Sequence, residues 1–150
     1  MTPKYPDRVT IAHLPTPLEE MPRLSKHLSG PRLFIKRDDQ TGLATGGNKT
    51  RKLEFLVADA LAQGCDYLVT TGGRQSNHCR QTAAAAAKFG LGCSLVLTGE
   101  APTSETQTAV SGNLLLDQLL GAHLYWTGPR TRQEVMLDVA AELRTMGHKP

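Results

Sequence analysis

Two stretches of this sequence carry more reactive side chains than a simple connection needs. In the first, GGNKTRKLE from Gly46 to Glu54, a glycine pair precedes Asn48 and Lys49, and Arg51 and Lys52 follow at once. At the start of a helix these three cations oppose the dipole, at a cost of about 0.3–1 kcal/mol each, and a bound anion would offset it. Side chains that extend into water fit the same pattern. The glycines favour a ligand, because backbone without Cβ admits one closely. A lysine held at such a turn also suits covalent chemistry, since burial and neighbouring cations keep an amine nucleophilic toward a carbonyl. Spacing alone leaves a Schiff-base lysine and a phosphate contact equally open.

The second stretch is TTGGRQSNHCRQ, Thr70 to Gln81. It sets Gln75, Ser76 and Asn77 at a helix start, where side-chain donors and free backbone N–H groups converge on a place for a carboxylate or phosphate. Ser76 or Asn77 reads equally well as an ordinary N-cap. His78 offers a general acid or base, although a lone histidine in a first helical turn is more often structural. The sequence contains no GxSxG, HExxH, Walker or GxGxxG pattern, which weighs against hydrolase, zinc-protease and nucleotide-binding chemistry.

The elements around these loops are periodic. Leu33 to Arg37 reads as a short strand. Leu53, Leu56, Val57, Ala60 and Leu61 recur at helical spacing, with Gly64 as the cap. Tyr67 to Thr71 and Ser94 to Thr98 read as buried strands, and His123 to Trp126 as a weaker one. Helices are predicted from Asn77 to Phe89 with its alanine run, near Val110 to Leu120, and from Thr131 to Met146; a polar loop spans Gly99 to Gln107. Strand and helix alternate with crossovers long enough for right-handed βαβ units, so the fold class is α/β with a mainly parallel sheet, and ligands gather beyond the carboxyl ends of its strands. Pro3, Pro6, Pro15, Pro17 and Pro22 forbid long elements in the first 30 residues and suggest an arm.

Composition narrows the partners. At 150 residues, with 39% hydrophobic and 21% charged, the chain holds one ordinary domain or part of something larger. A net charge of +3 and 5% aromatics are too mild for nucleic acid as a partner. No apolar run reaches the roughly 20 residues that cross a bilayer, and the first residues lack a secretory core, which predicts a cytoplasmic protein without a membrane partner. Cys65, Cys79 and Cys93 are odd in number and widely spaced, and are expected to be buried free thiols.

Taken in order, GGNKTRKLE and then QSNH resemble the pyridoxal-phosphate enzymes of fold type II. The resemblance is closest to the family of D-cysteine desulfhydrase and 1-aminocyclopropane-1-carboxylate deaminase, which includes L-cysteate sulfo-lyase. LPTPLE (Leu14 to Glu19), IKRDD (Ile35 to Asp39) and GNLLLDQLLGA (Gly112 to Ala122) extend it over most of the chain. It implies a three-layer, tryptophan-synthase-β-like α/β fold and pyridoxal 5'-phosphate as cofactor. Lys49 would carry the cofactor and act as general base. Asn48, Lys52 and Asn77 would also contact the cofactor, Lys52 near its phosphate and Asn77 at its 3-hydroxyl. Ser76 would be catalytic and hold the substrate carboxylate, with Gln75, Asn77 and His78 beside it.

In this family the deaminases are expected to carry Gln after Ser-Asn and the desulfhydrases and sulfo-lyases His, so His78 favours β-elimination. D-cysteine would give pyruvate, sulfide and ammonia; L-cysteate would release sulfite, and the deaminase branch opens a cyclopropane ring. Family members run to more than twice this length, with the phosphate loop beyond residue 150. The resemblance therefore implies an N-terminal part: 1–48 as an arm and first strand packing on a large domain, 49–150 as the small α/β domain, and the cofactor-phosphate domain outside this sequence. A small amino acid is the implied substrate and a homo-oligomer the implied full-length assembly. A non-catalytic fragment that at most binds a ligand is the alternative.

Overall fold

In a computed structural model that describes residues 5–103 and 110–150, strands and helices follow one another as β1 (Leu18–Glu20), α1 (Pro22–Leu28), β2 (Phe34–Lys36), α2 (Lys49–Ala62), β3 (Tyr67–Gly72), α3 (Asn77–Phe89), β4 (Gly92–Leu97), α4 (Gly112–Leu119), β5 (His123–Trp126) and α5 (Arg132–Thr145). Two single 3-10 turns, Asp38–Gln40 and Leu43–Thr45, lead into α2. β3, β4 and β5 form a parallel sheet in that order, with Tyr67 opposite Gly92 and Ser94 opposite His123. β1 and β2 make a separate antiparallel pair.

The central strand is apolar on both faces because both are covered. Cys93, Leu95 and Leu97 pack with Cys79, Ala83 and Ala86 of α3 and Leu114 of α4. Val96, pointing the other way, joins Tyr67 and Val135, Val139 and Leu143 of α5. The result is three layers, helix on sheet on helix, as the family resemblance implies. The alanines of α3 let that helix lie close to the strands, and its ends carry local signals: Ser76 caps the start and Gly90, at φ +68°, takes the left-handed turn at the finish. At α5, Thr131 and Glu134 form a reciprocal capping box.

Several boundaries and contacts differ from the sequence reading. β4 begins at Gly92, where it pairs with Tyr67, ahead of the predicted Ser94. α4 begins at Gly112; part of the predicted polar loop, 104–109, lies outside the described residues. The proline-rich start does form short elements, since Pro22 sits at the head of α1, where its missing N–H costs nothing. Cys79 and Cys93 are buried, but Cys65 is half-buried, because it follows α2 in a turn at the surface. The arm is anchored by Glu54: its Oε1 accepts the backbone N–H groups of Ile11 and Ala12, 2.9 Å each, and Ile11 packs against Leu53 and Val57 of α2.

Candidate active site

Beyond the carboxyl end of β3 the chain turns back on itself within a few residues. Gly72 makes this possible through space: a Cβ there would lie 2.5 Å from Ser76 Oγ and 2.7 Å from Cys79 Sγ. Ser76 Oγ accepts from the N–H of Cys79 at 3.2 Å, so the bland reading of Ser76 as an N-cap is correct. Capping occupies an oxygen lone pair and leaves the hydroxyl hydrogen to donate.

Asn77, the first residue of α3, is gripped at its oxygen. Its Oδ1 accepts from Asn113 Nδ2 at 2.8 Å and from Arg80 Nη1 at 3.3 Å. Gln75 clasps the start of α4: its Oε1 accepts from Asn113 N at 2.7 Å and its Nε2 donates to Ser111 O at 3.1 Å. The Gln75 side chain is thus engaged with backbone, beside the site. Arg80 reaches across to the other loop, donating through Nη2 to Gly46 O at 2.6 Å.

That bond brings the lysine loop to the head of α3. Gly46, at φ +75°, lies so near Asp39 that a Cβ would fall 1.8 Å from its carbonyl oxygen. Asn48 stands at the N-cap of α2 and is exposed, without a side-chain capping bond. Lys49 opens α2 half-buried; Lys52 is exposed. Arg51 departs from the sequence reading of three cations awaiting an anion. It makes a two-pronged pair with Asp38, 2.6 and 2.8 Å, and holds that carboxyl below the usual range. Its charge is balanced within the scaffold, which leaves Lys49 and Lys52 as the cations of the site.

His78 hydrogen-bonds Thr70 Oγ1 through Nε2 at 2.9 Å and borders a cleft of about 240 Å³ walled by Leu53, Leu56, Val57 and Leu68. Burial, then the positive charges of Lys52 and Lys49, push its pKa below the ordinary histidine value, so the ring is neutral at pH 7.

Arg80, Gln81 and Asn113 are the residues that motif reading missed. Arg80 and Gln81 are buried among the alanines of α3, and a charge and an amide on a core-facing stretch were the available signal. Gln81 Oε1 accepts from both N and Oγ1 of Thr50, the residue after Lys49.

Two lysines, a side-chain amide, a hydroxyl and the N-terminus of a 13-residue helix are therefore brought to this end of the sheet. This donor set suits a ligand bearing an aldehyde, a phenolic oxygen and anionic groups, which is the chemistry of pyridoxal phosphate. Fold and site together are those of an α/β protein whose residues fit such a cofactor.

The profile of the pyridoxal-phosphate dependent enzymes matches residues 9–150, and the chain belongs to that family. It is 48% identical over 144 residues to D-cysteine desulfhydrase of Klebsiella pneumoniae (strain 342), covering 95% of this chain and 44% of that protein. The chain thus spans less than half the length of the curated relatives it matches. A crystal structure of a 1-aminocyclopropane-1-carboxylate deaminase homologue superposes with a TM-score of 0.85 at 37% identity, over 97% of this chain and 43% of that one. A pyridoxal 5'-phosphate-dependent aspartate racemase, 20% identical with a TM-score of 0.67 over 89% of this chain and 38% of its own, shares the fold. The family and the fold expected from the two loops are confirmed. Among the described residues no helix is long and apolar enough to cross a membrane.

Proposed function

We propose that this chain carries the lysine half of the active site of a pyridoxal-phosphate dependent carbon–sulfur lyase of the D-cysteine desulfhydrase type, acting by β-elimination on a small amino acid. The observation that carries the reading is the Arg80 bridge from Gly46 O to Asn77 Oδ1, which sets the GGNK lysine beside the QSNH helix start. The 48% identity to a D-cysteine desulfhydrase over nearly the whole chain supports the substrate.

When bound, the cofactor supplies a sink for the electron pair left as the substrate Cα–H bond breaks. Lys49 would hold the cofactor aldehyde, and its free amine would serve as general base toward the substrate Cα proton. Asn77 would donate to the phenolic oxygen, Asn48 would add a contact to the cofactor and Lys52 would serve its phosphate. Ser76 and the backbone N–H groups behind it would hold the substrate carboxylate, with His78 among the substrate-binding residues. Residues 49–150 form the small domain; the antiparallel pair of β1 and β2, with Leu18, Phe34 and Ile35 exposed, would pack on a further domain of a longer protein.

Absorbance titration of the chain with pyridoxal phosphate, borohydride reduction and mass mapping test the cofactor assignment. Stoichiometric labelling at Lys49 is expected, and labelling spread over surface lysines would overturn it. Sulfide release from D-cysteine by the longer protein tests the substrate. The ring-opening deaminase is the second reading, favoured by the 37% identical structural match, and 2-oxobutanoate from 1-aminocyclopropane-1-carboxylate would select it.

A further inference from the structure

A side-chain amide has a donor end and an acceptor end of nearly the same shape, so an asparagine facing a phenolic oxygen is useful only if something determines which end faces it. In this structure the determination runs through one guanidinium. Arg80 has donors only, and it directs Nη1 at the oxygens of two amides, Asn113 Oδ1 at 3.0 Å and Asn77 Oδ1 at 3.3 Å. With its oxygen held by Arg80, Asn113 presents Nδ2, which donates to Asn77 Oδ1 and to Gln75 O, 2.8 Å each. Every bond in the chain has the same polarity. Turning either amide over would set N–H groups against N–H groups around a side chain that is 7% exposed, where an unmade bond is expensive.

We propose that Arg80 is a positioning residue that fixes the Asn77 amide with Nδ2 toward the ligand, and that it ties this orientation to the lysine loop through Gly46 O. The proposal rests on the cofactor reading above for the identity of the ligand; the amide orientation stands independently of it. Asp117 lies one turn beyond Asn113 on α4, is fully buried, and lowers the cost of the Arg80 charge through its field. Arg80 is thus held by two elements and acts on two loops, which a residue serving only to fill the core would not need.

The test uses the full 150-residue chain and two readouts. Hydrogen exchange of the Asn113 side-chain amide, followed by NMR without any ligand, reports the network directly. Pyridoxal phosphate affinity and the absorption maximum of the bound form report its consequence. Arg80→Lys keeps the charge but has one nitrogen for three separated oxygens; we expect at least tenfold faster exchange of the Asn113 amide, at least tenfold weaker cofactor binding and a displaced absorption maximum, with Lys49 still the residue labelled. Asn113→Asp keeps an acceptor for Arg80 and removes the donor to Asn77, and should reproduce the cofactor effects in a chain whose Arg80 is intact. Arg80→Lys unchanged in amide exchange would overturn the network. Faster exchange with unchanged cofactor affinity and spectrum in both variants would overturn its role toward the ligand. If wild-type chain is not labelled at Lys49, the cofactor reading fails, and the exchange comparison still decides whether Arg80 orients the amides.

Discussion

Gln81 receives two bonds from Thr50 on the same oxygen: the backbone N–H and the side-chain hydroxyl each lie 2.8 Å from Oε1, and both residues are fully buried. The contact pins the first turn of α2, and so the backbone next to Lys49, to the middle of α3. Replacing Gln81 by Leu keeps the volume but takes the acceptor from the Thr50 hydroxyl and leaves the Thr50 N–H only its 3.3 Å bond to Gly47 O, while it also removes a buried Nε2 that has no partner among the described residues; the net cost should be about 1–3 kcal/mol of stability. Thr50→Val removes one bond and leaves the N–H paired, for about 1 kcal/mol. Urea denaturation should rank the two in that order; the reverse ranking would show that the hydroxyl, not the N–H, is the anchor.

Lys49→Ala should remove both the absorbance band with pyridoxal phosphate and the borohydride label. Lys52→Ala, one turn on and exposed, should weaken cofactor binding while leaving the label in place. Equal loss in both variants would merge two roles that the reading keeps apart.

Asp117 makes stability depend on pH in a direction unusual for a carboxylate. Burial raises its pKa from 3.8 to about 6, against the pull of Arg80, and neither carboxylate oxygen has a hydrogen-bond partner among the described residues. The folded chain then holds this proton more tightly than the unfolded chain. Its contribution to stability is fully present below about pH 4, is lost as pH rises through about 6, and amounts to about 3 kcal/mol. Asn in its place cannot ionise. The stability of wild type relative to Asp117→Asn, measured by urea unfolding from pH 4.5 to 7.5, should therefore fall as pH rises, and a flat difference would show that the carboxylate is hydrated.

Gly72→Ala would drive a methyl group into Ser76 Oγ and Cys79 Sγ. Because Ser76 caps α3, the strain should appear both as lost stability, about 1–3 kcal/mol, and as weaker binding of a carboxylate ligand. Thermal melting and a ligand titration on the same sample check the two together; a variant with wild-type values in both would mean the loop has room to yield.

Proteolysis bears on the domain boundary. The exposed segment of β1, α1 and β2 should be cut first, with 49–150 surviving as the resistant core, and residues 8–13 staying attached longer than their sequence position suggests because Glu54 holds them. A segment as resistant as α3 would refute the division.

The parts of this fold that were legible in the sequence are those with local signals. α3 runs from Asn77 to Phe89 as read because a capping serine and a left-handed glycine bound it, and β5 runs from His123 to Trp126 as read. α1 was hidden by the prolines, whose effect depends on whether they open a helix or interrupt one. Lys49, Ser76 and Asn77 stood out as candidates by type and spacing, and the roles proposed for them come from the resemblance. Arg80 did not, since its partners Gly46 and Asn113 are distant in sequence and such bonds leave no periodic trace. Arg51 misled for the same reason: its carboxylate, Asp38, comes from another segment.

The sheet is ordered β3, β4, β5, the order in which the strands are synthesised, so each strand leaving a ribosome meets an edge already built. The residues up to Leu97 include the lysine loop, the Ser76 cap and Arg80; Asn113 comes from the segment after it. The half-site is thus encoded in two blocks of sequence, the cations and backbone in the first and, in the second, the amide that completes the polarity of its hydrogen bonds.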